Sequence, residues 1–373
     1  MAAGLAIHSL ALRHFRNIAS ADLTDLARFT VLSGNNGQGK TSVLEAAYLL
    51  CTTRSFRTAK LSEIVRHGEP IASVRAKIVE GEDAREQVIG LRGGTRTVTL
   101  AGKRPQSLAS YAVLSPAVVF HPGEMVLSSG PASKRRTLLD RIALFVDPTS
   151  LDHLGRYTTA SRSRQKILET RGTQAPDLEG FEQIIAAHGA AISRIRREAC
   201  ARIASELETS FPRITAEQRA LQAKYEPGGP EDEAGLLDAL VAQRERDKHR
   251  GSASAGPHRD DLVLKLGGYD VRVDASQGEH RAVTLALKLA ELSCIAAARG
   301  VHPVLLLDDV SSELDLSRTA LLFEFLRQTP GQILLTTTRP ELIDTSGLDP
   351  RERRDFHLRG GVLGEGPSPS EKG

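Results

Sequence analysis

The chain has 373 residues, of which 40% are hydrophobic and 25% are charged, so it is long enough to form two domains that each bury a core. No stretch approaches the roughly 18 apolar residues of a membrane-spanning helix, and three widely spaced cysteines cannot all pair and form no zinc motif, which favours a reducing, cytoplasmic location. Because the net charge is only +3 and Trp is absent, any bound nucleic acid would be held by local basic clusters and not by base stacking.

The first predicted elements are two strands, residues 5–12 and 28–33, and the second strand runs into a glycine-rich loop. A helix is predicted from Thr41 to Leu50, because apolar residues recur there at helical spacing. A loop of this spacing between a strand and a helix is typical of a P-loop, whose backbone N–H groups and helix N-terminus bind phosphates. The predicted ATP-binding residues are Gly34, Asn35, Asn36, Gly37, Gln38, Gly39, Lys40 and Thr41.

Two residues of this loop have predicted chemical roles. The ammonium group of Lys40 would reach the β- and γ-phosphates, so Lys40 is a candidate catalytic residue as well as a binding residue. The hydroxyl of Thr41 would be a ligand of Mg²⁺, which prefers oxygen. A chance glycine-rich turn would not be expected to have both the strand before it and the helix after it, so the sequence predicts an ATP and Mg²⁺ site.

Short alternating segments between residues 71 and 100 predict an antiparallel β meander, with turns at 81–83 and 92–94. A further strand, 118–120, ends just before His121. The meander and this strand are predicted to belong to the same part of the molecule as the P-loop.

Residues from about 126 to 250 are predicted to be helical. The clearest helix runs from 181 to 211, where an apolar stripe spans only a few heptads and therefore predicts a short arm and not a long coiled coil. A loop is predicted at 225–233 because of its Pro and Gly residues, and a Gly/Ser/Ala linker at 248–257 is predicted to lead out of the arm.

The C-terminal third begins with a predicted hairpin, in which strands 262–266 and 269–273 flank a Gly-Gly turn. Ser276, Gln277, Gly278 and Glu279 then precede a long predicted helix, 281–298. The Ser276 hydroxyl and the N–H groups at Gly278 would meet a γ-phosphate at the helix N-terminus. An ordinary capping box between Ser276 and Glu279 fits the same residues, but their position about thirty residues before an Asp-Asp strand end favours an ABC-type signature.

A buried strand, Val304 to Leu307, is predicted to end at Asp308 and Asp309. Asp308 would hold Mg²⁺, directly or through water, and Asp309 would orient or deprotonate the attacking water. Such a pair could also cap a helix, but a P-loop in the same chain favours an ATPase. The predicted catalytic residues are therefore Lys40, Ser276, Asp308 and Asp309, and the predicted metal ligands are Thr41 and Asp308.

Lys40 and Ser276 lie 236 residues apart, so the chain leaves its ATPase fold, builds another domain and returns. This separation is typical of DNA-organising ABC ATPases and exceeds what a transporter ATPase normally contains. The predicted fold is α/β: an ABC-type P-loop ATPase head, with a mixed sheet and an antiparallel β subdomain, and an inserted helical arm domain. The predicted parts are a first head segment (1–125), the arm (126–250), a second head segment (251–363) and a disordered tail (364–373).

The motifs together resemble the RecF family, and they occur in family order over residues 5 to about 340. They are Phe15-Arg16-Asn17, the P-loop, Arg54-Ser55-Phe56-Arg57, Phe120-His121-Pro122, Arg135-Arg136-Thr137-Leu138-Leu139-Asp140, Gly256-Pro257-His258-Arg259-Asp260-Asp261-Leu262, Ser276-Gln277-Gly278-Glu279 and Asp308-Asp309-Val310-Ser311-Ser312-Glu313-Leu314-Asp315.

The resemblance implies more than the spacing does. RecF-like proteins resemble the heads of SMC ATPases; they dimerise on ATP, bind single- and double-stranded DNA at gaps, and help RecO and RecR to load RecA during repair and replication restart. By this analogy Ser276 would contact the γ-phosphate held by the partner, and the segment Ser312-Glu313-Leu314-Asp315 would lie at the dimer interface.

Two positions depart from the general ABC pattern. Asp309 stands where SMC heads usually carry Glu, and Thr336-Thr337-Thr338 stands where many ABC proteins place a switch histidine. Both departures fit a slow, switch-like ATPase. The segment near His121 is the predicted equivalent of the Q-loop.

Several alternatives remain open from the sequence. Arg54, Arg57, Arg135 and Arg136 could contact DNA phosphates or form internal salt bridges. Another SMC-like repair ATPase is disfavoured by the absence of a CxxC zinc hook and by the short arm. A transporter ATPase is disfavoured by the split layout, and a binding module with a vestigial ATP site is disfavoured by the intact Lys40 and Asp308.

Overall fold

The structure is a computed structural model, and it describes residues 4–215, 219–309, 316–343 and 348–365. The chain divides into two compact units. The first unit consists of Met1–Glu124, Pro212–Glu217 and Thr284–Gly373, and the second consists of Met125–Phe211 and Gln218–Val283.

Strands and helices alternate along the described residues. The strands are β1 (Leu5–Phe15), β2 (Ile18–Leu23), β3 (Phe29–Ser33), β4 (Ile71–Glu80), β5 (Asp83–Arg92), β6 (Thr95–Leu100), β7 (Ala117–Phe120), β8 (Leu221–Glu226), β9 (Asp261–Leu266), β10 (Tyr269–Asp270), β11 (Val304–Leu307), β12 (Ile333–Thr337), β13 (Arg353–Arg359) and β14 (Val362–Glu365). The helices are α1 (Lys40–Thr52), α2 (Leu108–Ala112), α3 (Val126–Ser129), α4 (Ala132–Val146), α5 (Ser150–Arg171), α6 (Leu178–Ile214), α7 (Glu233–Ala242), α8 (Arg244–Arg250), α9 (Val271–Asp274), α10 (Gln277–Arg299) and α11 (Leu316–Gln328).

The first unit contains the predicted meander as a five-stranded antiparallel sheet in the order β2-β1-β4-β5-β6. Glu80 pairs with Asp83 and Arg92 pairs with Thr95, so two-residue turns connect β4, β5 and β6. Burial alternates along β4 and β5, as expected when one sheet face packs on a core. The predicted antiparallel β subdomain is confirmed.

The first unit also contains a six-stranded mixed sheet in the order β14-β13-β3-β12-β11-β7. Its strands β13, β3, β12, β11 and β7 are parallel, and only the edge strand β14 is antiparallel. All residues of β3, β7, β11 and β12 are buried, because helices or other strands cover both faces of a parallel sheet. Helix α1 packs on both sheets of this unit and carries the P-loop at its start.

The second unit is mainly helical. It contains helices α3 to α5 and α7 to α9, most of the long helix α6 and the first residues of α10. Apolar residues of α5, α6 and α7 form one core cluster, including Tyr157, Ile185 and Leu240. Buried ion pairs reinforce it: the Arg164 guanidinium, 1% exposed, bonds the carboxylates of Glu182 and Asp247 at 3.0 and 2.8 Å. Such fully paired buried charges tolerate burial because each has a partner.

The second unit contains a small sheet in the order β10-β9-β8, of which the hairpin of β9 and β10 was predicted and strand β8 was not. Strand β8 lies within the segment predicted to be helical, and it pairs with β9 over six residues from Leu221↔Leu266 to Glu226↔Asp261. Because β9 pairs with β8, the second unit continues past the predicted arm boundary at residue 250 and ends at Val283, within α10.

Two local predictions differ from the structure. The turn at Gly267-Gly268 forms, but its second strand has only two residues, because the Asp270 carboxylate accepts a hydrogen bond from the Arg272 N–H at 2.8 Å and starts the short helix α9. Residues 364–365, assigned to the tail, belong to β14, and 366–373 lie outside the described residues. No helix among the described residues is long and apolar enough to cross a membrane.

Candidate functional site

The P-loop follows β3 at the carboxyl end of the six-stranded sheet. Gly34 and Gly39 have φ angles of +142° and +109°, values that residues with side chains rarely adopt. A Cβ at Gly34 would lie 2.4 Å from the carbonyl oxygen of Leu358 in β13, and a Cβ at Gly39 would lie 3.3 Å from the Asn17 amide. The glycines are therefore needed both for the turn and for the close approach of neighbouring backbone.

Lys40 lies in the loop with its ammonium group turned onto the loop itself. Its Nζ donates to the carbonyl oxygens of Gly34 at 2.6 Å and Asn35 at 2.9 Å. Burial lowers the pKa of Lys40, and the negative charges of Asp309 and Asp308 oppose this shift. Lys40 is only 7% exposed, so its ammonium group contacts the loop and little water.

The P-loop helix and the Asp-Asp strand end meet directly. The Thr41 hydroxyl donates to Oδ1 of Asp308 at 2.8 Å. This contact follows from the sheet order, since β3 and β11 both flank β12 and all three strands are parallel. A hydroxyl and a carboxylate placed this close form an oxygen donor set that fits Mg²⁺.

Thr336 lies on β12, the strand between β3 and β11, and forms hydrogen bonds with both Asp308 and Asp309. Its hydroxyl donates to Oδ1 of Asp308 at 2.8 Å and accepts from the backbone N–H of Asp309 at 2.9 Å. Asp309 has a φ of +52°, a conformation in which a single Asp is tolerated but which is not preferred. Thr336 thus ties the two acids to β12, a role that the departure from the switch-histidine pattern did not predict.

Residues of the P-loop, the two acids and Thr336 border one cavity of about 1190 Å³ in the first unit. Residues 36–42 form one side of the lining together with the two acids and Thr336, and residues 65–69 contribute with Arg16 and Arg57. Gly34 and Asn35 are not part of this lining, but their carbonyl oxygens hold the ammonium group of Lys40, which is. The cavity therefore combines a phosphate loop, two carboxylates and several basic groups.

A buried carboxylate, Glu45, lies one turn into α1 and is 0% exposed. Arg16 donates to both of its oxygens at 2.9 and 2.6 Å, Arg57 donates at 3.2 Å, and the Ser55 hydroxyl donates at 2.6 Å. The sequence motifs around Arg16 and Arg57 are thereby joined to the P-loop helix. Sequence reasoning missed Glu45, because a single Glu in an apolar helix has no distinctive spacing.

Asn17 is a second residue without an assigned role in the sequence. Its amide donates to the carbonyl oxygen of Gly37 at 3.2 Å and accepts from the Ser42 hydroxyl at 3.0 Å. It therefore bridges the loop to the first turn of α1.

The C-terminal hairpin also contacts the loop. The N–H of Gly361 donates to the carbonyl oxygen of Gln38 at 3.1 Å, and the N–H of Gly360 donates to the Gln38 side chain. Strands β13 and β14 were not predicted, since most residues of β13 are charged and β14 has only four residues.

The predicted signature lies in the second unit. The Ser276 N–H donates to Oε2 of Glu279 at 2.6 Å, and the Glu279 N–H donates to the Ser276 hydroxyl at 3.3 Å. This is the reciprocal capping box that the sequence allowed. Gly278 lies within the first turn of α10. The segment 312–315, expected at a dimer interface, lies outside the described residues.

Four arginines were expected either to contact DNA phosphates or to form internal salt bridges, and most of them have internal partners. Arg57 bonds Glu45, Arg135 bonds the Asp261 carboxylate at 2.7 Å, and Arg136 donates to the backbone oxygen of Asp260 at 2.7 Å. Asp140, expected near Arg136, instead accepts from Arg196 at 2.7 Å. Arg54 is exposed.

His121 follows β7, the strand next to β11. Its ring lies 4.8 Å from the Phe56 ring, and Nε2 lies 3.4 Å from the Glu124 carboxylate. The Q-loop equivalence of this segment stays a prediction.

Comparison with known proteins gives a consistent result. The family model described as RecF/RecN/SMC N terminal domain matches residues 6–349. The DNA replication and repair protein RecF of Anaeromyxobacter sp. (strain Fw109-5) is 40% identical over 346 residues, covering 90% of this chain and 93% of that protein. The protein of the same name from Myxococcus xanthus (strain DK1622) is 36% identical and covers 95% of each chain.

Solved structures are similar over nearly the whole chain. A structure described as the recombination mediator protein RecF-ATP in the RecFOR pathway has a TM-score of 0.87 at 27% identity and covers 98% of each chain. An SMC head domain from Pyrococcus furiosus has a TM-score of 0.56 at 16% identity, covering 96% of this chain and 95% of that one, and this likeness extends to the fold alone.

Proposed function

The chain belongs to the RecF family of DNA replication and repair proteins, with the ABC-type ATPase head of the RecF/RecN/SMC families, and from this premise we propose that it is an ATP-controlled DNA clamp. In this proposal two chains dimerise on ATP, hold gapped DNA and release it after slow hydrolysis. The cytoplasm is the compartment in which such a protein would meet ATP and chromosomal DNA.

The observation that carries the proposal is the contact of Thr41, Asp308 and Thr336. These residues come from three separate parts of the sequence, yet the hydroxyl oxygens of Thr41 and Thr336 each lie 2.8 Å from Oδ1 of Asp308. Beside them, the P-loop turns around Lys40, whose ammonium group is held by carbonyl oxygens that phosphate oxygens could replace. ATP would bind with its terminal phosphates between Lys40 and Asp308.

Thr41 and Asp308 are the residues that would hold Mg²⁺. When bound, Mg²⁺ would supply positive charge that offsets the negative charge of the phosphates. Asp309 would accept a hydrogen bond from the attacking water and orient it. The Asp309 side chain is one methylene shorter than the Glu of SMC heads, and Thr336 occupies the place of a basic switch residue, so hydrolysis is proposed to be slow.

The dimer is proposed to complete the site. Ser276 and Gly278 at the start of α10 would bind the γ-phosphate held by the P-loop of a partner chain, since a helix N-terminus that carries a hydroxyl suits an anion. ADP lacks that phosphate, so dimerisation would follow the nucleotide state. This step rests on the family resemblance.

DNA would be held mainly through its phosphates by basic residues of both chains. By the same resemblance, RecR would be the direct protein partner, with RecO, in a pathway that loads RecA at gaps in DNA.

Sedimentation tests this proposal. Wild type is expected to dimerise with ATP and to remain monomeric with ADP or without nucleotide, while Ser276→Arg is expected to bind ATP and stay monomeric because the substitution removes the hydroxyl and puts a bulky side chain in its place. Ser205→Arg, at an exposed position of α6, is the matched control and should behave as wild type. A wild type that stays monomeric with saturating ATP and gapped DNA would contradict the proposal.

A further inference from the structure

Arg219 forms an ion pair with the signature glutamate. It lies between the long helix α6 and strand β8, and its guanidinium donates to Oε1 of Glu279 in the first turn of α10. The aliphatic part of Arg219 passes over Gly267: a Cβ at Gly267 would lie 2.8 Å from Cδ of Arg219. The Gly-Gly turn between β9 and β10 therefore leaves room for this arginine.

The other oxygen of Glu279 belongs to the capping box. Oε2 accepts from the Ser276 N–H at 2.6 Å, and the Ser276 hydroxyl accepts from the Glu279 N–H at 3.3 Å. The hydroxyl is the acceptor in this bond, and the Ser276 side chain also bonds the Glu279 carboxylate, so an incoming phosphate oxygen would compete with that carboxylate for the hydroxyl proton. The capping box thus orients Ser276 for an oxygen ligand such as a phosphate.

The same capping box places a full negative charge beside that position. The hydrogen bond from the Ser276 backbone, followed by the bond from Arg219, lowers the pKa of Glu279 to about 2, so Glu279 is ionised at neutral pH. Burial lowers the pKa of the adjacent His280, so His280 adds no positive charge there. An anion at Ser276 would be repelled by Glu279 unless its charge is compensated.

We propose that Arg219 is a positioning residue of the signature: its charge neutralises Glu279 and so allows a phosphate anion to approach Ser276. The inference rests on the proposed function, in which Ser276 binds a γ-phosphate. It assigns to Arg219 an electrostatic task that differs from holding α10 in place, because neutralisation would be unnecessary if Glu279 carried no charge.

That difference defines the test. The variants are Arg219→Gln, Glu279→Gln and the double variant, and the measured quantity is the ATP concentration that gives half-maximal dimerisation in sedimentation. Glu279→Gln keeps the capping box, since an amide oxygen still accepts from the Ser276 N–H, and it serves as the uncharged reference for the double variant. Arg219→Gln leaves the carboxylate uncompensated and should raise the required ATP about tenfold.

The double variant separates the two roles. If Arg219 acts by neutralisation, the double variant should return to within about twofold of wild type. If Arg219 acts only as a mechanical tether, the double variant should be as weak as Arg219→Gln, and that result would overturn the inference. Arg219→Lys, which keeps the charge, should recover most of the wild-type value.

Arg202→Gln is the control, because Arg202 forms a comparable exposed pair with Glu198 on α6. Equal thermal midpoints of all variants would exclude unfolding as the cause. A wild type that dimerises with ATP while Arg219→Gln is unchanged refutes only the role of Arg219. A wild type that never dimerises refutes the composite site and this inference with it.

Discussion

At the scale of single residues, the proposed ATP site depends on a few side chains. Their hydrogen bonds in the structure are the ones that a bound nucleotide would replace or keep. Asp308 accepts from two threonines, Thr41 and Thr336, and Asp309 is held through its backbone N–H. One hydroxyl, that of Thr336, therefore connects both acids. The acids can be changed separately because only Asp308 uses its side chain in these bonds with the threonines.

Asp308→Asn and Asp309→Asn should spare ATP binding and block hydrolysis. Loss of a positioned base or metal-holding carboxylate typically costs about 10²- to 10⁴-fold in rate, so single-turnover hydrolysis should fall by at least about 100-fold. ATP affinity should change only a few-fold, and dimers should persist. Asp83→Asn, at the exposed first residue of β5, is the control. Wild-type turnover in both variants would show that the acids lie elsewhere.

Lys40→Met should abolish tight ATP binding. The substitution keeps the length of the side chain but removes the charge that now bonds two carbonyl oxygens. Hydrogen bonds to charged groups contribute about 1.5 to 3 kcal/mol, so affinity should fall by roughly 10- to 100-fold or more. Equilibrium binding of a fluorescent ATP analogue measures this, with exposed Lys103→Met as the control. Unchanged affinity would count against the P-loop assignment.

At the scale of elements, the helices and strands that were predicted correctly are those with a strong local sequence pattern. The P-loop, α1 and the strand before Asp308 have strong spacing or continuous apolar runs, and the structure contains these elements. The meander also formed, because its turns carry glycine and its strands alternate.

What could not be predicted depends on distant pairing. Strand β13 has only two apolar residues, and the apolar-polar alternation of β8 spans only six residues within a mainly helical segment. Both become strands by pairing with partners that lie far away in the sequence, β3 and β9. Likewise, Glu45 gains its meaning only when Arg16 and Arg57 reach it from separate loops. Such contacts leave no periodic signal.

Glu45→Gln should destabilise the first unit. The carboxylate is 0% exposed and is bonded to two arginines that are 17% and 42% exposed. Removing one partner of a buried pair costs about 3 kcal/mol at the low end, and the partial access of the arginines to water favours that end. Denaturant unfolding should show the loss, whereas Glu82→Gln, in an exposed turn, should cost little. A loss below about 1 kcal/mol would contradict the structural role given to Glu45.

At the scale of the whole molecule, charge is nearly balanced. The sequence has 49 basic and 46 acidic residues, and Arg57, Arg135 and Arg136 are engaged internally. DNA binding would therefore need the basic residues of two chains together, which joins the proposed dimer to the proposed clamp.

DNA affinity in the presence of ATP should fall steeply with salt. If about four phosphates are neutralised, affinity should drop roughly 100-fold between 50 and 200 mM salt. Fluorescence anisotropy with gapped DNA measures the slope, and the same titration with ADP should show weaker binding throughout. Binding that is strong and insensitive to salt would argue against contact through the phosphates.

The contact between the P-loop and the C-terminal hairpin has a consequence for protein synthesis. Gly34 packs against Leu358, and Gln38 bonds Gly361, so the nucleotide loop emerges from the ribosome long before the strand that braces it. At about 5 to 20 residues per second, that delay is on the order of half a minute. A nascent chain would thus carry an incomplete form of the proposed ATP site until residues 358–361 have been synthesised, and only chains that include this hairpin could enter the nucleotide cycle.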